Sequence, residues 1–237
     1  MLAGILLAGA MAVSQAPTTP EGRELVSAIA ASIADVRQKQ AALPASKDDT
    51  ERLLRLSDLD QAPRRVITTF DFSRIPEPDR GVALADASAQ IEAVDAENLE
   101  ALLKMVPPEG WFLRSRYGDK AAASAFHIVQ HSNLATQKRF LLVLEGLAGK
   151  GEIDGQNYGM MFDRVAISEG RPQRYGSQFR CDGGKWRPYP LEDASHIDAL
   201  RARMGFHGTF AEYKVHFDTS PPCPQTRSPP PPGMKLD

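Results

Sequence analysis

Residues 170–189 read GRPQRYGSQFRCDGGKWRPY. Upstream of this stretch apolar residues recur at helical spacing; here that rhythm stops. Gln173 to Arg180 and Lys185 to Tyr189 flank Asp182-Gly183-Gly184, residue types that accept the positive φ of a tight hairpin turn. Pro188 and Pro190 confine the second strand to an edge, because proline cannot donate to a ladder. The stretch therefore predicts one β-hairpin near 173–189. Strand alternation would put Gln173, Tyr175 and Ser177 on one face and Arg174, Gly176 and Gln178 on the other.

Outward from the hairpin, the chain reads as helices. Leu25, Val26, Ile29, Ile33 and Val36 mark a helix over 21–43 that Leu43-Pro44 stops. Ser46 caps a second through Leu53, Leu54 and Leu56, and Pro63 predicts a break or new start near Leu59. Val82, Leu84, Ala87, Ile91 and Val94 form a third, and Asp95 caps another that ends at Pro107-Pro108. Gly118-Asp119 starts a helix ending at Gln130-His131, and Ser132 or Asn133 caps the next, with Phe140, Leu141, Leu144 and Leu147 on one face. Residues 157–167 continue helical, burying Met161, Phe162 and Val165. After the hairpin, Asp193 or Ser195 opens a helix closed by Gly205, and a short helix carries Phe210 and Tyr213. The expected fold is mainly α: a single helical domain over 47–217 with one late β-hairpin packed on the helices. It follows an N-terminal linker and helix over 17–46 and precedes a Pro-rich flexible tail over 218–237.

Residues 1–16, MLAGILLAGAMAVSQA, have the length and apolar character of a signal peptide and are too short to span a bilayer. Ala10-Met11-Ala12 and Ser14-Gln15-Ala16 offer small-residue cleavage sites, although the segment before the apolar run has no Lys or Arg. Export to the periplasm or beyond is expected, with no integral membrane segment once the leader is removed. The two cysteines, Cys181 and Cys223, fit an oxidising compartment and a disulfide tying the tail to the hairpin. The alternative, a buried N-terminal helix and two unrelated thiols, stays open.

A formal charge of −2 over 237 residues gives no field for nucleic acid or an anionic membrane. No phosphate-loop, dinucleotide, HExxH or CxxC pattern occurs, so no cofactor is expected. His127 and His131 lie one helical turn apart, but Gln130 stands where a metalloprotease would need its glutamate, and no third ligand is in sequence reach; no metal is expected. His131 at a helix C-terminus is a candidate for proton transfer, or a simple cap. Asp163-Arg164 sits on an otherwise apolar helix, and neighbours in sequence do not face each other there. Each therefore needs a partner elsewhere, with Asp60, Arg64 and Arg201 as candidates. Gln173, Tyr175, Ser177 and Gln178 are suited to reading a polar ligand, and Ser177 as a nucleophile lacks the elbow that activates one.

In order, Asp60-Gln61-x-x-Arg64, Asn98, Gly110-Trp111, Gln130-His131, Gln137, Asp163-Arg164, Gly170-x-x-Gln173-x-Tyr175-Gly176-Ser177-Gln178, Arg201 and Gly205 compose a series. The series resembles that of a widespread bacterial family classed as a domain of unknown function. The resemblance spans roughly residues 50–217, as a series of short motifs within one domain. His127 and Phe112 depart from it, where the family has an apolar residue and commonly a proline. The resemblance implies a site list and no activity.

Two functional classes follow. One is a hydrolase-like enzyme acting on a small polar or envelope-derived substrate. His131 would move the proton, Asp163 would orient it, and Arg64, Arg164 or Arg201 would hold an anionic group. The other is a non-catalytic module binding a small polar ligand or peptide through Gln61, Arg64, Gln130, Arg164, Gln173, Tyr175, Ser177, Gln178 and Arg201. A purely structural polar network is the third reading.

Overall fold

A computed structural model describes residues 16–220 and Met234. The expected leader up to Gln15, Cys223 and most of the proline-rich tail lie outside the described residues. The chain divides into two compact units, one built from residues up to Pro44 with Asp58–Val94, the other from Ala45–Ser57 with Asp95–Asp237. Among the described residues there are eight α-helices and one late antiparallel hairpin. None of the helices is long and apolar enough to cross a membrane.

The first unit begins where Thr19 caps α1 (Pro20–Ala41), its hydroxyl accepting from the Gly22 N–H, with Pro20 at the first helical position, where no N–H is needed. Leu25, Ile29 and Ile33 form the buried stripe of α1. They join Leu59 of α2 (Asp49–Thr69), Ile75, and Ala83, Ala87 and Val94 of α3 (Asp79–Leu103) in one core. The break expected near Leu59 does not occur: α2 runs through Pro63. Proline removes the donor for the Leu59 carbonyl and crowds that turn, at about 3 kcal/mol. Burial of Leu59 and Ala62 holds the helix against this, and the Arg64 guanidinium donates to the Asp60 carbonyl at 2.7 Å and its Oδ1 at 3.0 Å. Gln61 Nε2 donates to Asp60 Oδ2 at 2.6 Å.

In the second unit, Trp111, Phe112, Phe126, Phe140, Leu144 and Met161 dominate the core. Its main helices are α4 (Arg114–Gln130), α5 (Leu134–Glu145) and α6 (Gly155–Ser168). Gly118, at φ 76° and ψ 162°, interrupts α4, so its regular part starts at Asp119 as the sequence predicts. Asn133, one of the two expected caps, accepts from Thr136 N. Asp154 caps α6 by accepting from Gln156 and Asn157 N–H.

The hairpin is shorter than expected. β1 (Phe179–Asp182) pairs with β2 (Lys185–Pro188), Asp182 opposite Lys185, around Gly183 and Gly184, both at positive φ as a type I′ turn requires. Residues 174–178 are not strand, and the predicted alternation of side chains there does not hold. α7 (Ile197–Arg203) and α8 (Phe210–Asp218) follow. Asp193 and Ser195 form a turn ahead of α7, with Asp193 Oδ1 accepting from the Ser195 and His196 N–H groups, but α7 itself has no side-chain cap. Thr209 and Glu212 form a reciprocal capping box on α8. Cys181 is buried on β1.

The entry to the first unit hangs on Asp79, whose carboxylate accepts from the N–H and hydroxyl groups of both Thr18 and Thr19. The Thr19 hydroxyl above all, then the Thr18 N–H, hold its carboxyl down at about 2, against an ordinary 3.8. A carboxyl depressed in the folded state adds stability above its unfolded value and loses it as pH falls through the folded one. Asp79→Ala should therefore melt below the wild type near neutral pH. The gap should close between pH 3.8 and about 2, as thermal unfolding across that range would measure.

Candidate functional site

Asp163 is completely buried on α6. Its Oδ1 accepts from Arg174 N at 2.7 Å and Tyr175 N at 3.0 Å; its Oδ2 accepts from Ser177 N and Ser177 Oγ, each at 2.9 Å. Successive backbone N–H groups converging on one anion form a nest, a geometry an extended strand cannot supply. Gly176, at φ +67°, makes the turn, and a Cβ there would sit 2.6 Å from the Phe210 ring. This is why β1 begins at Phe179 rather than Gln173. Burial pushes the Asp163 carboxyl up, against the downward pull of the Ser177, Tyr175 and Arg174 donors.

Gln173 is equally buried, and its amide is fully used: Nε2 donates to the Gln178 and Tyr189 carbonyls, and Oε1 accepts from Gln178 N at 2.8 Å. Gln178 Nε2 donates to Ser177 Oγ at 3.0 Å. Arg201 Nη1 donates to the Tyr175 carbonyl at 2.8 Å, with its guanidinium between the rings of Phe206 and Tyr213. The Tyr175 ring packs on Phe206 and Phe162. Both this ring and that of Phe206 approach α6 over Gly159, where an added Cβ would fall 2.4 Å from Phe206. The structure thus gathers Asp163, Gln173, Tyr175, Ser177, Gln178 and Arg201 into one clamp. Asp163 finds its partners in backbone N–H groups and the Ser177 hydroxyl, not in the arginines expected, and none of its donors is an imidazole.

A model of a family of unknown function (DUF6624) matches residues 47–218. The chain belongs to this family. No curated protein and no solved structure matches it.

Two predicted residues of this family member lie at the turn from α4 to α5. The Gln130 carbonyl accepts from Gln137 Nε2 at 2.9 Å, and the Ser132 carbonyl accepts from the same amide at 2.8 Å. His131 ends α4, its ring stacked near that of His127 with centroids 6.3 Å apart. Gln61 and Arg64 lie on α2 in the first unit, bonded to Asp60 as described. Arg164 differs from the rest. It is half-buried on α6, it has no ion pair or hydrogen bond among the described residues, and its Nε is buried without a partner. Burial alone lowers its pKa.

A cavity of about 260 Å³ lies in the second unit, lined by Trp111, Ala123, Phe126, Ile153, Asn157 and Tyr158, among others. None of these stands on the predicted site list. The signals were Gly110-Trp111, already part of the family series, and the Asp154 cap that fixes Asn157 and Tyr158 on the first turn of α6.

Asp163→Asn should lower stability by about 2–4 kcal/mol, because its amide turns donors toward donors in a buried nest. Denaturant unfolding of the variant beside Ser177→Ala, which removes a single donor and should cost about 1 kcal/mol, would measure this.

Proposed function

We propose that this protein is an exported binding module for a small anionic ligand, with Arg164 as its anchor. The observation that carries the reading is the half-buried Arg164 guanidinium without a counter-ion among the described residues. A desolvated cation left alone is unfavourable by several kcal/mol, and a carboxylate or phosphate with fork geometry relieves that on binding. The neighbouring polar groups favour this over a hydrolase-like role. Asp163, Gln173, Ser177 and Arg201 spend their hydrogen bonds on the chain's own loop, so a His131–Asp163 relay lacks its carboxylate. They act as the structural network that shapes the loop following α6.

The test is thermal unfolding in inorganic phosphate and in succinate at constant ionic strength. Wild type should gain stability with each anion in a saturable way. Arg164→Gln should lose that gain, yet be more stable than wild type by about 1–2 kcal/mol without anion, since an unpaired cation is gone. Arg174→Gln is the control, because Arg174 is already paired with Glu192 at 2.8 Å. Equal anion stabilisation of wild type and Arg164→Gln would remove Arg164 as the anchor.

Export rests on the apolar segment 1–16 and the even cysteine pair, Cys181 and Cys223. Protein recovered from the periplasm should begin after Ala12 or Ala16, with neither cysteine alkylated before reduction and both alkylated after. A full-length N-terminus with two reactive thiols would contradict it.

A further inference from the structure

The cavity of the second unit plays no part in the reading above. Its volume of about 260 Å³ corresponds to about nine waters of liquid, room for a ligand of about that many heavy atoms. Trp111, Phe126 and Tyr158 supply aromatic walls, each less than a tenth exposed. The Trp111 indole N–H, the Asn157 carboxamide and the Tyr158 hydroxyl make no hydrogen bond among the described residues. Polar groups that face a cavity and make no bond to the chain are what a binding pocket offers.

The polar side of the cavity carries an excess of negative charge. Arg114 Nε donates to Asp119 Oδ1 at 2.6 Å, and the carboxylates of Asp154 and Glu152 also act on that guanidinium. Two carboxylates, Asp119 and Asp154, thus line the cavity beside one cation, Arg114. Burial first, then the Glu145 charge, pushes the Tyr158 phenol up to about 12, so it faces the cavity as a neutral hydroxyl able to donate a hydrogen bond.

Aromatic walls with a negative edge suit a cation carrying an apolar body: the rings receive the body and attract the charge, and the carboxylates hold the ammonium. The geometry points to a binding site for a small primary amine with an aromatic or cyclic apolar body. This site does not rest on Arg164 and selects the opposite charge, so either can fail without the other.

The test follows the Trp111 indole N–H signal by NMR in a Trp186→Phe background, which leaves Trp111 as the one tryptophan. The probes are benzylammonium, benzyl alcohol and benzoate at matched ionic strength. Benzylammonium should shift the Trp111 signal saturably, with a Kd about tenfold or more below that of benzyl alcohol, and benzoate should leave it unmoved. Ala123→Leu, which fills the cavity, should abolish the shift. Asp154→Asn keeps a helix cap while removing a charge, and should weaken benzylammonium about threefold or more without lowering the melting temperature. Should Ala123→Leu not fold, Tyr158→Phe takes its place and should weaken binding. A Trp111 signal that ignores benzylammonium, benzoate binding as well as benzylammonium, or undiminished binding by the variants would each overturn the assignment.

Discussion

One carboxylate organises the chain after α6. Asp163 is buried without a cationic partner in direct contact, and it stays compatible with the core because three backbone N–H groups and a hydroxyl close on it. The loop takes its shape from that anion: the N–H groups converge only if residues 174–177 curl, and the curl needs Gly176 at positive φ. Around the curl, Gln173 closes the loop from its own first residue and Arg201 holds the Tyr175 carbonyl from α7. The hairpin and the last two helices are placed by this knot of polar contacts as much as by apolar packing.

Much of the fold was legible because helical periodicity and turn chemistry agree. The hairpin turn at Asp182-Gly183-Gly184, the Asn133 cap and the start of regular helix at Asp119 follow from local chemistry that tertiary structure leaves intact. Two expectations failed where burial or a distant carboxylate overruled a local pattern. Pro63 reads as a break, yet burial of its neighbours and the Arg64 guanidinium carry α2 through it. Gln173 to Gln178 read as a strand, yet Asp163, ten or more residues earlier, claims its N–H groups for a nest.

The candidate site was legible in part for the same reason. Sequence picks out polar residues that look too specific for a core, and several of these prove to be core: Gln173 and Arg201 are almost wholly buried and spent on backbone groups. Chemistry available to a ligand lies instead with groups that structure leaves unspent, the Arg164 guanidinium and the Trp111, Asn157 and Tyr158 side chains of the cavity. Composition cannot separate spent from unspent polar groups, because the difference lies in which partners arrive in three dimensions.

Helix α6 also divides its own future. At Gly155 an added methyl would lie 2.1 Å from the Met204 carbonyl, and at Gly159 it would meet the Phe206 ring. Along that line even the smallest side chain displaces the segment after α7, so those positions are closed to drift. Asn157 and Tyr158, between the two glycines in sequence, line the cavity instead, with side chains that make no hydrogen bond among the described residues. The same two turns of helix thus hold positions that descendants of this chain must keep beside positions they can change to alter what the cavity accepts.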